Sequence, residues 1–258
     1  MNKSILIKTI LTILIFSIIG IYIAYRVYLQ PDGIDINKSK YPVTGIDISK
    51  HNGKVDFKQI RKQNIDFVYI KATEGGDYND INFETNYRNA VLSGLPVSAY
   101  HFFTFKVEGK KQAENLLRAI KGKHMDLPLV LDVEEWGNSE EFEELKVIAE
   151  IQSCIDELEE KTDLRVMIYT NENGYRKFVK RNFEGNELWI CSFNSEPKIG
   201  KKWTFWQHSH KGKLIGTEGL VDINTFNGNR EEWNNYLKSN KEPEKQIKPM
   251  SVKKKSSR

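Results

Sequence analysis

The sequence predicts an α/β fold in which a barrel of parallel strands follows an N-terminal apolar helix. Strand-like and helix-like segments alternate from residue 43 onward, which is typical of a parallel sheet. About eight strand-like segments fall within about 200 residues, a number that suits a single barrel. Helix-like segments become sparse in the last third of this region. We therefore predict a barrel that is rich in helices first and poor in helices later.

Residues 1–29 are predicted to form a membrane anchor or uncleaved signal segment. Lys3 and Lys8 precede an apolar run at 10–24, and the wider segment 5–29 has only isolated polar residues. This length covers the roughly 20 residues that a helix needs to span a bilayer. It also favours an uncleaved anchor over the shorter apolar region of a signal peptide. The basic flank predicts that the rest of the chain lies outside the cytoplasm, in the periplasm or at the cell surface.

The remaining chain divides by composition into three parts. Residues 30–42 read as a polar linker, residues 43–238 as one globular domain, and residues 239–258 as a basic disordered tail. The net charge is +4, but no basic recognition helix or aromatic–basic sheet signature is present. We therefore expect no nucleic-acid partner, and we expect the chain to act as a monomer.

Cysteine and histidine give no sign of a metal or cofactor site. Cys154 lies in a helix-like stretch and Cys191 in a strand-like one, and both are predicted to be small buried hydrophobic residues. The five histidines are scattered, and no Cys/His group has zinc-ligand spacing. The sequence thus predicts neither a cofactor nor a bound metal.

Each strand is predicted from a short run of β-branched, aromatic and other apolar residues between turn signals. The first runs to Ile48, and the second contains the sequence Phe-Val-Tyr-Ile-Lys-Ala. The full set of predicted strands is 43–48, 67–72, 96–103, 127–133, 164–169, 187–193, 204–208 and 221–226.

Each helix is predicted from an apolar face or a capping signal. Asp56 is a plausible N-cap for a short helix that carries Phe57 and Ile60 on one side. Acidic residues follow the capping position at 138–139, where they suit the helix dipole. The longer predicted helices are 83–92, 109–120, about 138–160 and the stretch around 174–181.

Asp132 and Glu134 are the most informative residues of the chain. Both lie in the apolar run Leu-Val-Leu-Asp-Val-Glu-Glu, and on a strand positions i and i+2 share a face, opposite to Glu135. Two adjacent carboxylates raise at least one pKa unless partners stabilise both charges. Glycoside hydrolysis needs one protonated acid and one ionised carboxylate at such a site. The alternative is an edge strand whose acids are simply solvated.

Further acids fall at the ends of other predicted strands. Asp47 lies near the end of the first strand, Glu74 follows the second, and Asp222 lies in the last. Active sites of parallel barrels form at the C-terminal ends of the strands. If the barrel closes, the first and last strands are neighbours, and Asp47 and Asp222 meet across the mouth from Asp132 and Glu134.

Aromatic residues accompany these acids, as expected for a carbohydrate cleft, because sugars have apolar faces and polar edges. We predict that Tyr100, Tyr169 and Trp206 line the cleft. Other strand aromatics are predicted to be core residues, and these are Tyr69, Phe103 and Trp189.

Six motifs then identify the region 43–237 as similar to a known family. In the order of glycoside hydrolase family 25 lysozymes, they are Gly45-Ile46-Asp47-Ile48-Ser49, Tyr69-Ile70-Lys71-Ala72-Thr73-Glu74-Gly75, Ala99-Tyr100-His101-Phe102, Leu131-Asp132-Val133-Glu134, Trp206-Gln207 and Val221-Asp222-Ile223-Asn224. The resemblance implies a TIM-like (β/α)5(β)3 barrel. It also implies cleavage of the β-1,4 bond between N-acetylmuramic acid and N-acetylglucosamine in the glycan strands of peptidoglycan.

The resemblance also implies roles for the acids. Glu134 matches the general acid, and Asp132 matches the second catalytic carboxylate, which either attacks the sugar or assists an attack by the substrate's acetamido group. Asp47 and Asp222 match two further acids that hold the substrate and tune the pair. Tyr100 and Trp206 match cleft residues.

Some roles stay open at this point. Glu74 either contacts substrate or forms an ion pair with Lys71 beneath the cleft. His208 stands where the family often has tyrosine. A catalytically silent module that tethers the membrane to peptidoglycan is the alternative function, and a hydrolase of a related glucan such as chitin is a third. The cost of keeping four acids together argues against a silent module.

Overall fold

The computed structural model describes residues 3–28, 33–138, 141–200 and 202–240. The chain separates into two compact units, Met1–Asp32 and Gly33–Arg258. In the first unit, helix α1 spans Lys3–Tyr28. Within the described residues, no helix meets the combined length and apolarity that a membrane crossing requires, so the predicted transmembrane helix is not supported.

The second unit contains the alternating strands and helices expected from the sequence. Its strands are β1 (Thr44–Ile48), β2 (Phe67–Glu74), β3 (Tyr78–Asn79), β4 (Val97–Phe102), β5 (Leu129–Asp132), β6 (Val166–Asn171), β7 (Glu187–Cys191), β8 (Phe205–Gly212) and β9 (Val221–Phe226). Its helices are α2 (Phe57–Arg61), α3 (Phe83–Ser93), α4 (Gly109–Ile120), α5 (Glu144–Lys161), α6 (Glu172–Gly174) and α7 (Arg230–Asn240). A 3₁₀ turn covers Lys50–Asn52, and a π-helical turn covers Tyr175–Val179.

Eight of the strands in the described region close into a barrel. The order around it is β1-β2-β4-β5-β6-β7-β8-β9, and β9 pairs with β1 to complete the ring. The two-residue strand β3 pairs with the edge of β2 outside this ring. The predicted α/β barrel is therefore confirmed.

The last strand differs from the prediction of a wholly parallel barrel. Strand β9 runs antiparallel to both of its neighbours, β8 and β1, whereas the other barrel pairs are parallel. The segment between β8 and β9 contains no helix. A parallel pair needs a long crossover connection, while a short one reverses the chain direction. The reversal brings the first residues of β9 to the end of the barrel where the parallel strands finish.

Apolar side chains fill both sides of the barrel wall. The outer layer packs the strands against α2–α5, while the inner layer consists mostly of large aromatic and aliphatic side chains. Helix α7 covers the end of the barrel at which the parallel strands begin, because Trp233 packs against Phe67, Phe205 and Phe226 of the inner layer. The opposite end is left for the site.

Several boundaries differ from the sequence predictions. Helix α5 begins at Glu144, later than the predicted start near residue 138. Helix α7 extends to Asn240, into the start of the predicted tail, whose residues from 241 onward lie outside the described part.

The predicted linker packs on the barrel over its described residues. The Ile34 amide donates to the His208 carbonyl at 3.1 Å, and the Tyr41 hydroxyl donates to Glu196 at 2.6 Å. The Tyr41 side chain is buried in the outer layer. The segment from Gly33 onward is thus part of the barrel unit.

Candidate active site

A cavity of about 420 Å³ opens at the C-terminal ends of the parallel strands. All eight barrel strands contribute to its wall, together with the loops that follow β1 and β5. The wall contains the four acids Asp47, Asp132, Glu134 and Asp222 that the sequence analysis singled out. The lining residues are Asp47, Ser49, His51, Asn52, Lys71, Glu74, Tyr100, Phe102, Val130, Asp132, Glu134, Trp136, Gly137, Tyr169, Trp189, Gln207 and Asp222.

The pleat of β5 places Asp132 and Glu134 on the cavity side. Leu131 and Val133 are fully buried in the outer layer, so the acids between and after them point the other way. The Val133 amide donates to the Tyr169 carbonyl at 2.9 Å, which continues the pairing past the last residue of β5. Because of this alternation, both carboxyls reach the same cavity, as predicted.

The turn after Glu134 is held from two sides. The Asn138 side chain donates to the Glu134 carbonyl at 2.8 Å and to the Phe103 carbonyl at 3.0 Å, and it accepts the Phe105 amide at 2.8 Å. Glu135 lies opposite, where it accepts from Asn173 at 2.7 Å and pairs with Lys177. The cavity wall does not include Glu135, which the strand pattern predicts to face away from Asp132 and Glu134.

Asp47 and Asp222 meet because β1 and β9 are paired in register at these two residues. The Asp222 carboxyl shares a side-chain hydrogen bond with Asp47. Asp47 Oδ2 also accepts from Gln207 Nε2 at 3.0 Å and from Asn224 Nδ2 at 2.8 Å. Three donors around one buried carboxyl favour its ionised form.

Two buried aromatic residues orient these amides. The Trp189 indole donates to Asn224 Oδ1 at 2.9 Å, and the Tyr169 hydroxyl donates to Gln207 Oε1 at 2.7 Å. Each amide oxygen is thereby occupied, so its NH2 group points to Asp47. The sequence analysis assigned no role to Gln207 or Asn224. The spacing could have identified Asn224, since it lies two residues after Asp222 on the same strand face.

Burial and mutual repulsion raise the pKa values of the acids. Burial, with the Asp47 charge next, raises the pKa of Glu134 to about 7. The same two causes raise the pKa of Asp222 to about 9. Burial raises the pKa of Asp47 as well, against the lowering effect of its amide donors. At neutral pH, Asp222 therefore holds its proton and donates it to an ionised Asp47.

Asp132 lies in the least compensated position of the cluster. Burial, followed by the charge of Glu134, raises its pKa well above the ordinary value, and only Lys71 acts to lower it. Its Oδ1 atom is buried and has no hydrogen-bond partner among the described residues. A buried unpaired carboxyl oxygen is costly, and such costs are typical of functional sites.

Glu74 reaches the cavity as one half of an ion pair. Lys71 Nζ lies 2.7 Å from Glu74 Oε2, and both side chains line the wall. The ammonium also lies 4.9 Å from the centre of the Phe102 ring. The predicted ion pair between Lys71 and Glu74 is thus present, and both side chains border the space that a ligand could occupy.

Tyr100 and Tyr169 line the cavity as predicted, but Trp206 does not. Trp206 lies in the outer layer, where it is buried against Tyr41 and Trp203 and donates to the Ser192 carbonyl at 2.8 Å. The pleat of β8 explains the correction, because Gln207 faces the cavity and its neighbour must face the other way.

Other residues that the sequence analysis noted lie away from the cavity. His208 is buried on the same side of β8 as Trp206, with Nδ1 3.2 Å from the Ile34 carbonyl. Cys154 is buried and Cys191 half-buried, and both thiols are free. Across the described ranges, no group of three or more His, Cys, Asp or Glu side chains is arranged to hold a metal ion.

A barrel whose C-terminal mouth gathers four carboxyls, among them acids that keep a proton near neutral pH, is typical of a glycoside hydrolase. The sequence profile of glycosyl hydrolases family 25 matches residues 46–217, and the chain belongs to this family.

Known proteins agree with this assignment in sequence and in structure. Lysozyme M1 of Streptomyces globisporus is 31% identical over 202 residues, which cover 72% of this chain and 68% of that protein. The uncharacterized protein YegX of Escherichia coli strain K12 is 31% identical over 211 residues, covering 79% and 76% of the two chains. The structure of a family 25 glycosyl hydrolase from Bacillus anthracis superposes with a TM-score of 0.71 at 34% identity, covering 79% of this chain and 96% of that one.

Proposed function

We propose that this enzyme is a muramidase, which cleaves the β-1,4 bond between N-acetylmuramic acid and N-acetylglucosamine in peptidoglycan. The arrangement of Asp132 and Glu134 beside the Asp47–Asp222 pair carries the proposal. Relatives named lysozyme support the substrate class. The cavity opens at the barrel mouth, where a glycan strand can enter.

Glu134 acts as the general acid in this mechanism. Its pKa of about 7 keeps a large share of the carboxyl protonated at neutral pH, although an exposed glutamate would be ionised. The hydrogen bonds of Asn138 hold the backbone of Glu134 in place. The carboxyl gives its proton to the glycosidic oxygen as the bond to the anomeric carbon breaks, so the leaving sugar departs as a neutral alcohol.

Asp132 stabilises the positive charge that develops on the other sugar. That charge favours the ionised form of Asp132, so the interaction is stronger in the transition state than in the free enzyme. Its unpaired Oδ1 supports assistance to the substrate, because this oxygen is available to accept the N–H of an acetamido group. The acetamido oxygen then attacks the anomeric carbon, and water later opens the ring that forms.

Digestion of purified peptidoglycan tests the proposal. The full-length chain should release muropeptides whose new reducing ends are N-acetylmuramic acid, as read by mass spectrometry. Glu134→Gln keeps the size of the side chain but has no proton to give, and we expect a loss of at least about 100-fold in kcat. Glu84→Gln, on the exposed surface of α3, is the matched control and should retain activity.

Other outcomes of the same digestion would contradict the proposal. Binding to the wall without new reducing ends would indicate a silent tether between membrane and wall. Faster release from chitin oligomers than from peptidoglycan would indicate a hydrolase of a related glucan. Unchanged muropeptide release by Glu134→Gln would rule out this residue as the acid.

The place of action is a separate proposal. Attachment through residues 1–29, action outside the cytoplasm and a monomeric state all stay predictions from the sequence. Fractionation of cells, followed by protease protection of the barrel domain, tests the first two. Sedimentation of the purified chain tests the third.

A further inference from the structure

One tryptophan of the chain is placed unlike the other four. The chain has five tryptophans, all within the described residues, and four of them are at most 5% exposed. Trp136 is 79% exposed. Tryptophan is highly buried on average, so this exposure sets Trp136 apart from the other four.

The exposed ring borders the proposed active site. Trp136 lines the cavity two residues after Glu134. Other large apolar side chains that are equally exposed in the barrel unit lie elsewhere, and these are Ile81, Leu92, Leu145 and Ile215. Of these five exposed apolar side chains in the described barrel unit, Trp136 is the one that lines the cavity.

One aromatic contact and the conformation of the turn limit the positions that the ring can adopt. Trp136 meets Phe102 edge to face, with ring centres 6.5 Å apart and planes at 90°. Gly137 adopts a left-handed φ of +81°, and a Cβ at this position would lie 2.7 Å from Phe102 Cζ. Asn138 anchors the end of the turn. A side chain held in this way loses little conformational freedom on binding.

The chemistry of the ring indicates its ligand. An indole presents a flat apolar face, and the axial C–H groups of a pyranose form a complementary apolar face. The single ring has the area of one sugar unit and is far smaller than a protein interface. A glycan strand that occupies the cleft continues past Glu134, so its next sugar passes the rim.

We propose that Trp136 is the platform of a further sugar subsite at the cleft rim. A pyranose ring of the glycan strand stacks on the indole, beyond the two sugars that share the bond protonated by Glu134. The residue determines specificity by favouring long glycan chains over disaccharides. This inference rests on the proposed muramidase function and adds a binding site to it.

Fluorescence tests the platform without catalysis. In the full chain with Glu134→Gln, iodide should quench mainly Trp136, because the other tryptophans are buried. Soluble uncross-linked strands of alternating N-acetylglucosamine and N-acetylmuramic acid should protect the indole from iodide. A disaccharide of the same sugars should protect it less. Equal quenching with and without the long strand would overturn the platform.

Kinetics of otherwise unmodified variants test its contribution. Trp136→Ala should lower kcat/KM on long strands by about 3- to 10-fold through KM, the range expected for one aromatic contact, while Trp136→Phe should retain most of it. Ile215→Ala removes an equally exposed side chain outside the cavity and should change nothing.

These results separate the inference from the function on which it rests. Unchanged kinetics of Trp136→Ala in an enzyme that still digests peptidoglycan would overturn the platform alone. Protection of Trp136 by glycan in an enzyme that cleaves nothing would support the platform and contradict the muramidase.

Discussion

The proton on Glu134 depends on the surrounding residues more than on the residue itself. Burial disfavours its charge, and the nearby Asp47 charge disfavours it further. Asp47 keeps that charge because Gln207 and Asn224 donate to it. The amides therefore act on the general acid indirectly, through the charge that they stabilise.

The pH dependence of activity follows from this arrangement. A general acid works only while protonated, so we expect kcat/KM to fall as the pH rises through about 7. Asp47→Asn removes the charge that helps to raise the pKa of Glu134, so it should move this alkaline limb to lower pH. An alkaline limb that stays in place in Asp47→Asn would contradict the coupling.

The stability of the fold should also respond to this cluster. The folded chain keeps the proton of Asp222 up to about pH 9, whereas an ordinary aspartate releases it near pH 3.8. The folded state thus binds more protons than the unfolded state between these values, and its stability falls as the pH rises through this window. The acid cluster therefore lowers the stability of the folded state, although the proposed reaction needs it.

Replacing Asp222 by asparagine should remove that cost. The amide still donates to Asp47 and is neutral at every pH, whereas the Asp222 carboxyl is neutral at pH 7 only because the site raises its pKa. We expect Asp222→Asn to raise the stability by about 1 kcal/mol at neutral pH, or the Tm by roughly 2–4 °C, and to lower activity. Thermal melts across the pH window should show a gain that grows with pH. Asp77→Asn, on an exposed loop, should show no such trend.

At the scale of elements, the turn after β5 positions both the acid and the proposed platform. Asn138 bonds to three backbone groups from two segments, at Phe103, Phe105 and Glu134. The turn is therefore fixed by one side chain on the barrel side and by Glu135 on the outer side.

Loss of the Asn138 side chain should loosen this turn. We expect Asn138→Ala to cost about 1–3 kcal/mol, because buried backbone groups lose their partners. It should also lower kcat more than it changes KM, since Glu134 becomes less well placed. Asn235→Ala, on the exposed side of α7, is the control. A loss of stability with unchanged kcat would show a structural role only.

The sequence predicted which side chains share a face of a strand, but it did not predict the direction of every strand. The period of Leu131, Asp132, Val133 and Glu134 specified which side chains share a face, and the structure agrees. No periodicity reports strand direction, so the reversal of β9 was missed. The prediction that Trp206 lines the cleft was wrong, because an aromatic residue suits the outer layer of a barrel as well as a cleft. The two locations are distinguished only by the neighbouring residue Gln207, which faces the cavity and so directs Trp206 to the outer layer.

At the scale of the whole molecule, α7 completes the hydrophobic interior. Trp233 is buried against inner-layer aromatics from β2, β8 and β9. We expect Trp233→Ala to cost about 3–5 kcal/mol and to lower the Tm accordingly. Trp136→Ala makes the matched comparison, because an exposed ring should change stability by less than about 0.5 kcal/mol. Equal melting of the two variants would contradict this role for α7.

The barrel itself was predictable, because alternating segments and their number leave few other architectures. The meeting of Asp47 with Asp222 also followed from closure. The amide donors to Asp47 did not follow, because hydrogen bonds inside a barrel depend on side-chain directions that only the closed structure has.

Closure also determines when the enzyme can first act. Asp47 lies on the first barrel strand and its partners Asp222 and Asn224 on the last, and the Asn224–Asp47 hydrogen bond spans 177 positions of the chain. Such distant contacts form late in folding. A chain still emerging from the ribosome lacks these partners until its final strand is made. We therefore expect the hydrolytic site to appear only when synthesis of the barrel is complete, so that incomplete chains carry no lytic activity.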